Sequence, residues 1–315
     1  TQENKMALTK AHTRMIEGDS LSVLDYGATG DGVTDDTAAI QAAIDYLTNA
    51  GNGGNIILPA GNYVVTSVTI DSPIHFQGES MSATRIWPVT GYSTVVVAYD
   101  NVTVSDLEFI GDTGTGQADI TGSCIKFDAY TNNNAFARAM EGCKIERVKF
   151  RNLKMNGIYA HQCVRESHIR ECRFVGMGDV ATDAAPIKFL PTVGSISNVN
   201  NIWIDKNMFY RFATPAIYGK RSVVSGAGLS YASMHITGNL IHGMKLDEST
   251  AGGTVQPEDT DQIYFEDCTE IRVIHNKLTA VHPLKCNLNI VNATEGYCKS
   301  VIFTDNDCSL TPTTD

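Results

Sequence analysis

Apolar residues recur along this chain in a hexad, at neither the period of a helix nor the plain alternation of a half-exposed strand. An aliphatic or aromatic residue is followed by two variable positions, then Asn or a small or apolar residue, one variable position and a final apolar residue. The seven copies read VSDLEF (104–109), IERVKF (145–150), IRECRF (169–174), IDKNMF (204–209), ITGNLI (236–241), VIHNKL (273–278) and FTDNDC (303–308). A second series of short apolar segments lies between them, centred on Ile125, Ile158, Ile187, Ile217, Ile263 and Ile290. Two phase-locked strand series joined by loops of variable length predict a solenoid. Each coil stacks on the last by parallel pairing at about 4.8 Å, so that seven coils span roughly 30–35 Å.

The fourth hexad position is Leu107, Val148 and Cys172, and then Asn207, Asn239, Asn276 and Asn306. An Asn at a sharp bend can adopt left-handed backbone angles and hydrogen-bond the Asn of the next coil. Four in one phase therefore predict an asparagine ladder.

Ahead of the coils, Thr34 or Asp35 is expected to cap a helix from about Asp36 to Leu47, with Ala39, Ile40, Ala43, Ile44 and Leu47 on one face. Such a helix can cover the open end of a solenoid and hide its unpaired edge. Asp31, Asp35 and Asp36 then read as capping and turn residues.

Composition narrows the function classes. Apolar residues make up 43% of the 315, enough for a sizeable core, and no run approaches the ~18 needed to span a membrane. With 24 basic against 35 acidic residues the net charge is −11, which argues against a nucleic-acid partner. Twenty-seven Gly fit a turn-rich β protein. Among eight Cys, Cys172 takes the Asn slot and Cys308 the final apolar slot, while Cys124 and Cys163 flank inner strands. These positions predict small, buried, reduced thiols and folding in a reducing cytoplasm.

The segment LSVLDYGATGDGVTDDTAAIQAAIDYLTNAGNGGNIILPAGNYVV (21–65) resembles the entry segment of right-handed parallel β-helix proteins of the pectate-lyase-like superfamily. DYGATGDGVTDDTAAIQ with LPAGNYVV is similar to the phage tailspike and depolymerase branch, and LTKAHTRMIEG (8–18) to the short helical segment leading into such bodies. The resemblance implies an all-β fold, a right-handed single-stranded parallel β-helix with an N-terminal capping helix. It divides the chain into a neck or linker helix (1–20), the body (21–310) and a tail (311–315). It further implies a homotrimer in the virion, beside other tail or baseplate proteins, that recognises bacterial surface polysaccharide and in many members cleaves it by hydrolysis or elimination.

Strand alternation separates inward from outward residues. With the central Ile of the second series inward, the outward column reads Lys126, Tyr159, Lys188, Tyr218, Tyr264 and Val291. Two positions on come Asp128, His161, Leu190, Lys220, Glu266 and Ala293. Tyr offers a flat apolar face with a hydroxyl and Lys suits acidic sugars, so the column reads either as a saccharide track or as a subunit interface. On the first series, Lys144, His168, Trp203, His235 and Arg272 precede the central residue, with Trp203 a candidate sugar platform. Glu146, Arg170, Asp205, Thr237 and Ile274 follow it. Glu146 and Asp205, two coils apart, read as part of a solvated charge ladder. In the turn GMGDVATDAAPIKF (176–189), Asp179 and Asp183 precede the outward Lys188. The turn is loosely similar to the GDD-then-IK segment of β-helical polygalacturonases, with Asp183 at the second Asp and Thr182 in place of the first. Candidate catalytic residues are Asp179, Asp183 and Glu266. Candidate substrate-binding residues are Tyr159, His161, Lys188, Trp203, Tyr218, Lys220 and Tyr264. No calcium-loop, HExxH or phosphate-loop motif occurs, so neither metal nor cofactor is expected.

Overall fold

The computed structural model describes residues 20–51, 53–89, 91–111, 122–128, 140–160, 164–178, 183–190, 199–219, 231–243, 261–266, 268–281, 288–291 and 300–310. The expected neck, but for Ser20, and the expected tail lie outside these, as do Asp179, His161, Lys220 and Cys163.

The described strands form two parallel sheets, one of nineteen strands and one of eight. The larger sheet consists of two ladders that run together where Thr103–Ile110 and Lys144–Leu153 span both. The coils from Gly54 to Val291 thus present three strand faces around one interior. Ile125, Ile158, Ile187, Ile217 and Ile263 lie directly opposite one another in register, so the narrow sheet is a true stack. Inside, Phe109, Phe150, Phe174 and Phe209 form a column of parallel rings 4.7–5.4 Å apart. Coil stacking at one strand spacing accounts for that distance.

One register differs from expectation. Leu288, not Ile290, lies opposite Ile263, and Ile290 lies opposite Phe265. A slip of two residues leaves every side chain on its original face, so the apolar pattern does not reveal it. Asn289 consequently extends the outward column in place of Val291, and Val291 lies beside Glu266 in place of Ala293.

The bends also differ in detail. The left-handed residue is the one before the Asn slot: Asp106, Arg147, Glu171, Lys206, Gly238, His275 and Asp305 have φ of 52–64°. The residue three places before each hexad (Asn101, Gly142, Glu166, Asn201, Ser233, Glu270, Ser300) is left-handed as well, at 48–68°. Each hexad therefore carries its first residue between two left-handed bends. The second bend turns the following side chain inward, which is why Asn207, Asn239 and Asn276 are buried. Each ladder Asn donates to a main-chain carbonyl of the preceding coil and accepts from the Asn before it; Asn207, first of the four, accepts from Cys172 N–H.

The helix α1 runs Thr37–Ala50, longer than its apolar stripe, and ends at Gly51 with φ 76°. Asp35 accepts from the Thr37 N–H at 2.9 Å. Asp36 sits at the N-cap position but its buried carboxylate faces away, accepting from the N–H groups of Thr29 and Gly30. Asp31 accepts from Val33 and Thr34 N–H, and these bonds hold its carboxyl down to about 2. Buried Ile40, Ala43, Ile44 and Leu47 face the core. Gln41 accepts from Thr69 N–H at 2.8 Å and donates to Thr69 C=O at 3.1 Å, meeting both groups on the free side of Val68–Ile70, the first strand of the narrow sheet.

Cys124, Cys143, Cys172 and Cys268 are buried, and Cys124, Cys143 and Cys172 are free thiols. Cys308 is free but exposed, against expectation, because no described coil stacks beyond its strand. Among the described residues no helix is long and apolar enough to cross a membrane.

Candidate functional site

The outer face of the narrow sheet gathers most of the described candidates. Lys126, Tyr159, Lys188, Tyr218, Tyr264 and Asn289 follow one another in register, one per coil. Lys188 is buried and donates to the Asp183 carboxylate at 2.9 Å, with its Nζ 5.4 Å from the centre of the Tyr218 ring. Tyr218 stacks on Tyr264 at 5.3 Å, and the Tyr264 hydroxyl donates to Glu266 at 2.8 Å. The short chain Asp183–Lys188–Tyr218–Tyr264–Glu266 thus crosses three coils. Asp183 itself adopts φ 55° and stays exposed at the lip of the turn.

Burial, followed by the charges of Asp183 and Glu266, pushes the Tyr218 phenol up, so both carboxylates lie within electrostatic reach of it. The Tyr264 phenol is raised by burial and then by its bond to Glu266. Tyr159 is pushed up to about 12 by burial and the charge of Asp128. All three hydroxyls therefore remain protonated hydrogen-bond donors at neutral pH.

Stacking changes what these rings offer. One face of Tyr218 is covered by Tyr264 and the other by Lys188, so the strip presents ring edges and hydroxyls where open aromatic faces were expected. The reason is geometric: one strand spacing per coil is close to the contact distance of parallel rings.

Trp203 is not brought to this site. It lies on the larger sheet with His168 against one face at 4.6 Å and His235 against the other at 5.5 Å, so it too shows an edge. Glu146 and Asp205 are in register with Arg170 between them, and Arg170 pairs with Glu146 at 2.8 Å, as a charge ladder requires. Four residues absent from the candidate set belong to the strip: Lys126, Asp128, Asn289 and Asp261. Asp128 pairs with Lys126, and Asp261 accepts from Asn289 at 2.6 Å. Asp128 was legible as Glu266 was, two places after the outward residue; Asn289 was hidden by the register slip. Among the described residues no group of His, Cys, Asp and Glu is arranged to hold a metal ion.

Comparison with known proteins gives a matching family. The model of the rhamnogalacturonase A/epimerase, pectate lyase-like family covers residues 20–297. Mannuronan C5-epimerase AlgE1 of Azotobacter vinelandii is 35% identical over 167 residues, which is 48% of this chain and only 12% of that protein. Among solved structures, ORF18 of Geobacillus virus E2 aligns with 93% of this chain and 60% of its own, at 20% identity and TM-score 0.55. The A-module of the A. vinelandii epimerase AlgE4 aligns over 93% of this chain and 98% of its own, at 18% identity and TM-score 0.52. By fold and family match, this chain belongs to the rhamnogalacturonase A/epimerase, pectate lyase-like family of right-handed parallel β-helices.

Proposed function

We propose that this chain is the glycan-binding body of a phage tailspike, and that the outer face of its narrow sheet binds and cleaves bacterial surface polysaccharide, capsule or O-antigen. In this reading it is carried as a homotrimer on the phage tail beside other tail or baseplate proteins. It folds first in the host cytoplasm, a setting in keeping with the buried free thiols of Cys124, Cys143 and Cys172. Family membership supports the coarser statement, a role in binding or processing carbohydrate.

The observation that carries the finer statement is the pair Asp183 and Glu266, held at the two ends of a contact chain through Lys188, Tyr218 and Tyr264 on adjoining coils. Glycosidic hydrolysis needs one carboxyl group to protonate the leaving oxygen and another to activate water or attack the sugar. Groups two strand spacings apart are separated by roughly 9–10 Å along the axis. That is close to an inverting pair with a water between, and well beyond the ~5 Å of a nucleophile and its acid. Asp183 and Glu266 divide the acid and base roles, with Asp179 of the same turn as the alternative to Asp183. Tyr159, Tyr218, Tyr264 and Lys188 donate to sugar oxygens or carboxylates, with His161 and Lys220 as further contacts.

A second reading, a receptor-binding fibre without catalysis, is favoured by the engagement of both carboxylates, Asp183 by Lys188 and Glu266 by Tyr264. Size-exclusion chromatography of host polysaccharide after incubation separates the two. Cleavage shifts the polymer to lower mass, and Glu266→Gln slows it by about 10²–10⁴-fold with binding retained. An unchanged elution profile leaves only the fibre. Parental rates for Asp179→Asn, Asp183→Asn and Glu266→Gln alike sink the residue assignment.

A further inference from the structure

The larger sheet carries a second charged site, on a different face of the coil. Arg85, Glu108, Lys149 and Arg173 follow one another in register along its outer surface. Glu108 is only 1% exposed although it points away from the core. Its Oε1 lies 2.9 Å from Lys149 Nζ and 2.7 Å from Arg151 Nε, and its Oε2 lies 3.3 Å from Arg85 Nε.

Neighbouring acids on this face are matched closely to their partners. Asp106 takes Arg147 in a two-bond fork at 2.7 and 2.8 Å, and Glu146 takes Arg170 at 2.8 Å and shares Arg147 at 3.3 Å, so that two acids face two arginines. At Glu108 one carboxylate meets three cations, a formal surplus of two in a chain of net charge −11. Lys149, Arg151 and Arg85 keep 23%, 33% and 43% of their side chains exposed. Both arginines meet Glu108 through Nε, so these contacts leave the outer edges of their guanidinium groups uncommitted. Three like charges gathered on one buried carboxylate repel one another, and a bound anion relieves that repulsion.

We propose that Glu108 organises Arg85, Lys149 and Arg151 into a site for the carboxylate or sulfate groups of an acidic polysaccharide. The guanidinium edge suits such groups because its paired donors match two anion oxygens. The choice of a glycan as carrier of the anion rests on the proposed function; the charge complementarity stands without it. The site would hold a strand of acidic glycan against the side of the coil stack while the narrow sheet engages another stretch.

Calorimetry with an oligogalacturonate hexamer, a neutral glucose hexamer and inorganic sulfate tests this. The acidic hexamer should bind the parent chain at low salt and weaken as salt rises, and the neutral hexamer should bind less tightly. Arg85→Gln with Arg151→Gln should weaken acidic-hexamer binding at least about tenfold. Lys149 remains to pair Glu108 in that variant. If the double variant does not fold, Arg85→Gln alone, the most exposed and longest contact, should still lower affinity measurably.

Equal affinity for acidic and neutral hexamers, no acidic-hexamer binding, or binding of sulfate alone would overturn the proposal. So would a change of oligomeric mass at unchanged affinity, which would make the patch a subunit contact. If the double variant binds as the parent does while Tyr218→Ala loses binding, this site falls and the narrow-sheet reading stands. The reverse result leaves this site standing and removes the other.

Discussion

The side-chain oxygen of Asn239 takes two protons from Asn207, the backbone N–H at 2.9 Å and the amide Nδ2–H at 3.0 Å. Asn239 passes its own amide protons to the Ile204 carbonyl at 2.8 Å and to Asn276 at 2.9 Å. All four hydrogen-bonding positions of a buried amide are thereby used. The ladder joins successive coils at the bend, where strand pairing is interrupted.

Asn239→Ala should therefore destabilise the fold by roughly 3–4 kcal/mol, since several buried groups lose partners at about 1–3 kcal/mol each. Asn306, on the last described coil, is less buried, and Asn306→Ala should cost less. Urea unfolding of the two variants measures both. Equal losses would mean that the amides are not what ties the coils together.

Two glycines on the coils should behave oppositely. A Cβ on Gly219 would lie 2.3 Å from the Phe265 ring, so Gly219→Ala should cost about 1–3 kcal/mol through overpacking. Gly238 has φ 64° but open space around its would-be Cβ, with Lys206 Cγ nearest at 3.9 Å. Asp, Arg, Glu, Lys and His occupy the equivalent bend in other coils. Gly238→Asn should fall within about 0.5 kcal/mol of the parent, because Asn tolerates left-handed angles and orders the unfolded chain slightly. Thermal unfolding of both distinguishes crowding from backbone strain, and a larger loss at Gly238 would reverse that assignment.

Acid should weaken the larger sheet. His168 and His235, stacked on the two faces of Trp203, are each held below the usual imidazole value, by burial first. Arg170 and Lys144 push His168 further down against Asp205 and Glu146, and Arg272 does so at His235 against Glu270. A histidine with a depressed folded pKa contributes stability that is present above about 6.5 and is lost as pH falls through the folded value. Burial raises Asp205, which acts with the opposite sign at lower pH. The thermal midpoint should fall between about pH 7 and pH 5, and His168→Gln with His235→Gln should flatten that slope. An identical slope in the double variant would assign the acid response to other groups.

The coil architecture was legible in the sequence because stacking repeats the same demand at the same phase. Asn207, Asn239, Asn276 and Asn306 each fill one bend, and Ile125, Ile158, Ile187, Ile217 and Ile263 each fill one inward slot. Strand alternation likewise put Lys188, Tyr218 and Tyr264 on one outward column. Local periodicity could not reveal the slip at Ile290, because two residues restore the same face, nor that the left-handed residue precedes the Asn.

What only the tertiary structure decided are the contacts between coils. Arg85, Glu108 and Arg151 lie 23 and 43 residues apart across loops of unequal length, so their convergence follows from how far each loop carries the chain before the next strand pairs. The edge-on setting of Trp203 and Tyr218 has the same origin, since a ring one strand spacing from its neighbour covers that neighbour's face. Residue type and phase determined the stack; the spacing between stacked coils determined which side chains meet and which surfaces they leave open.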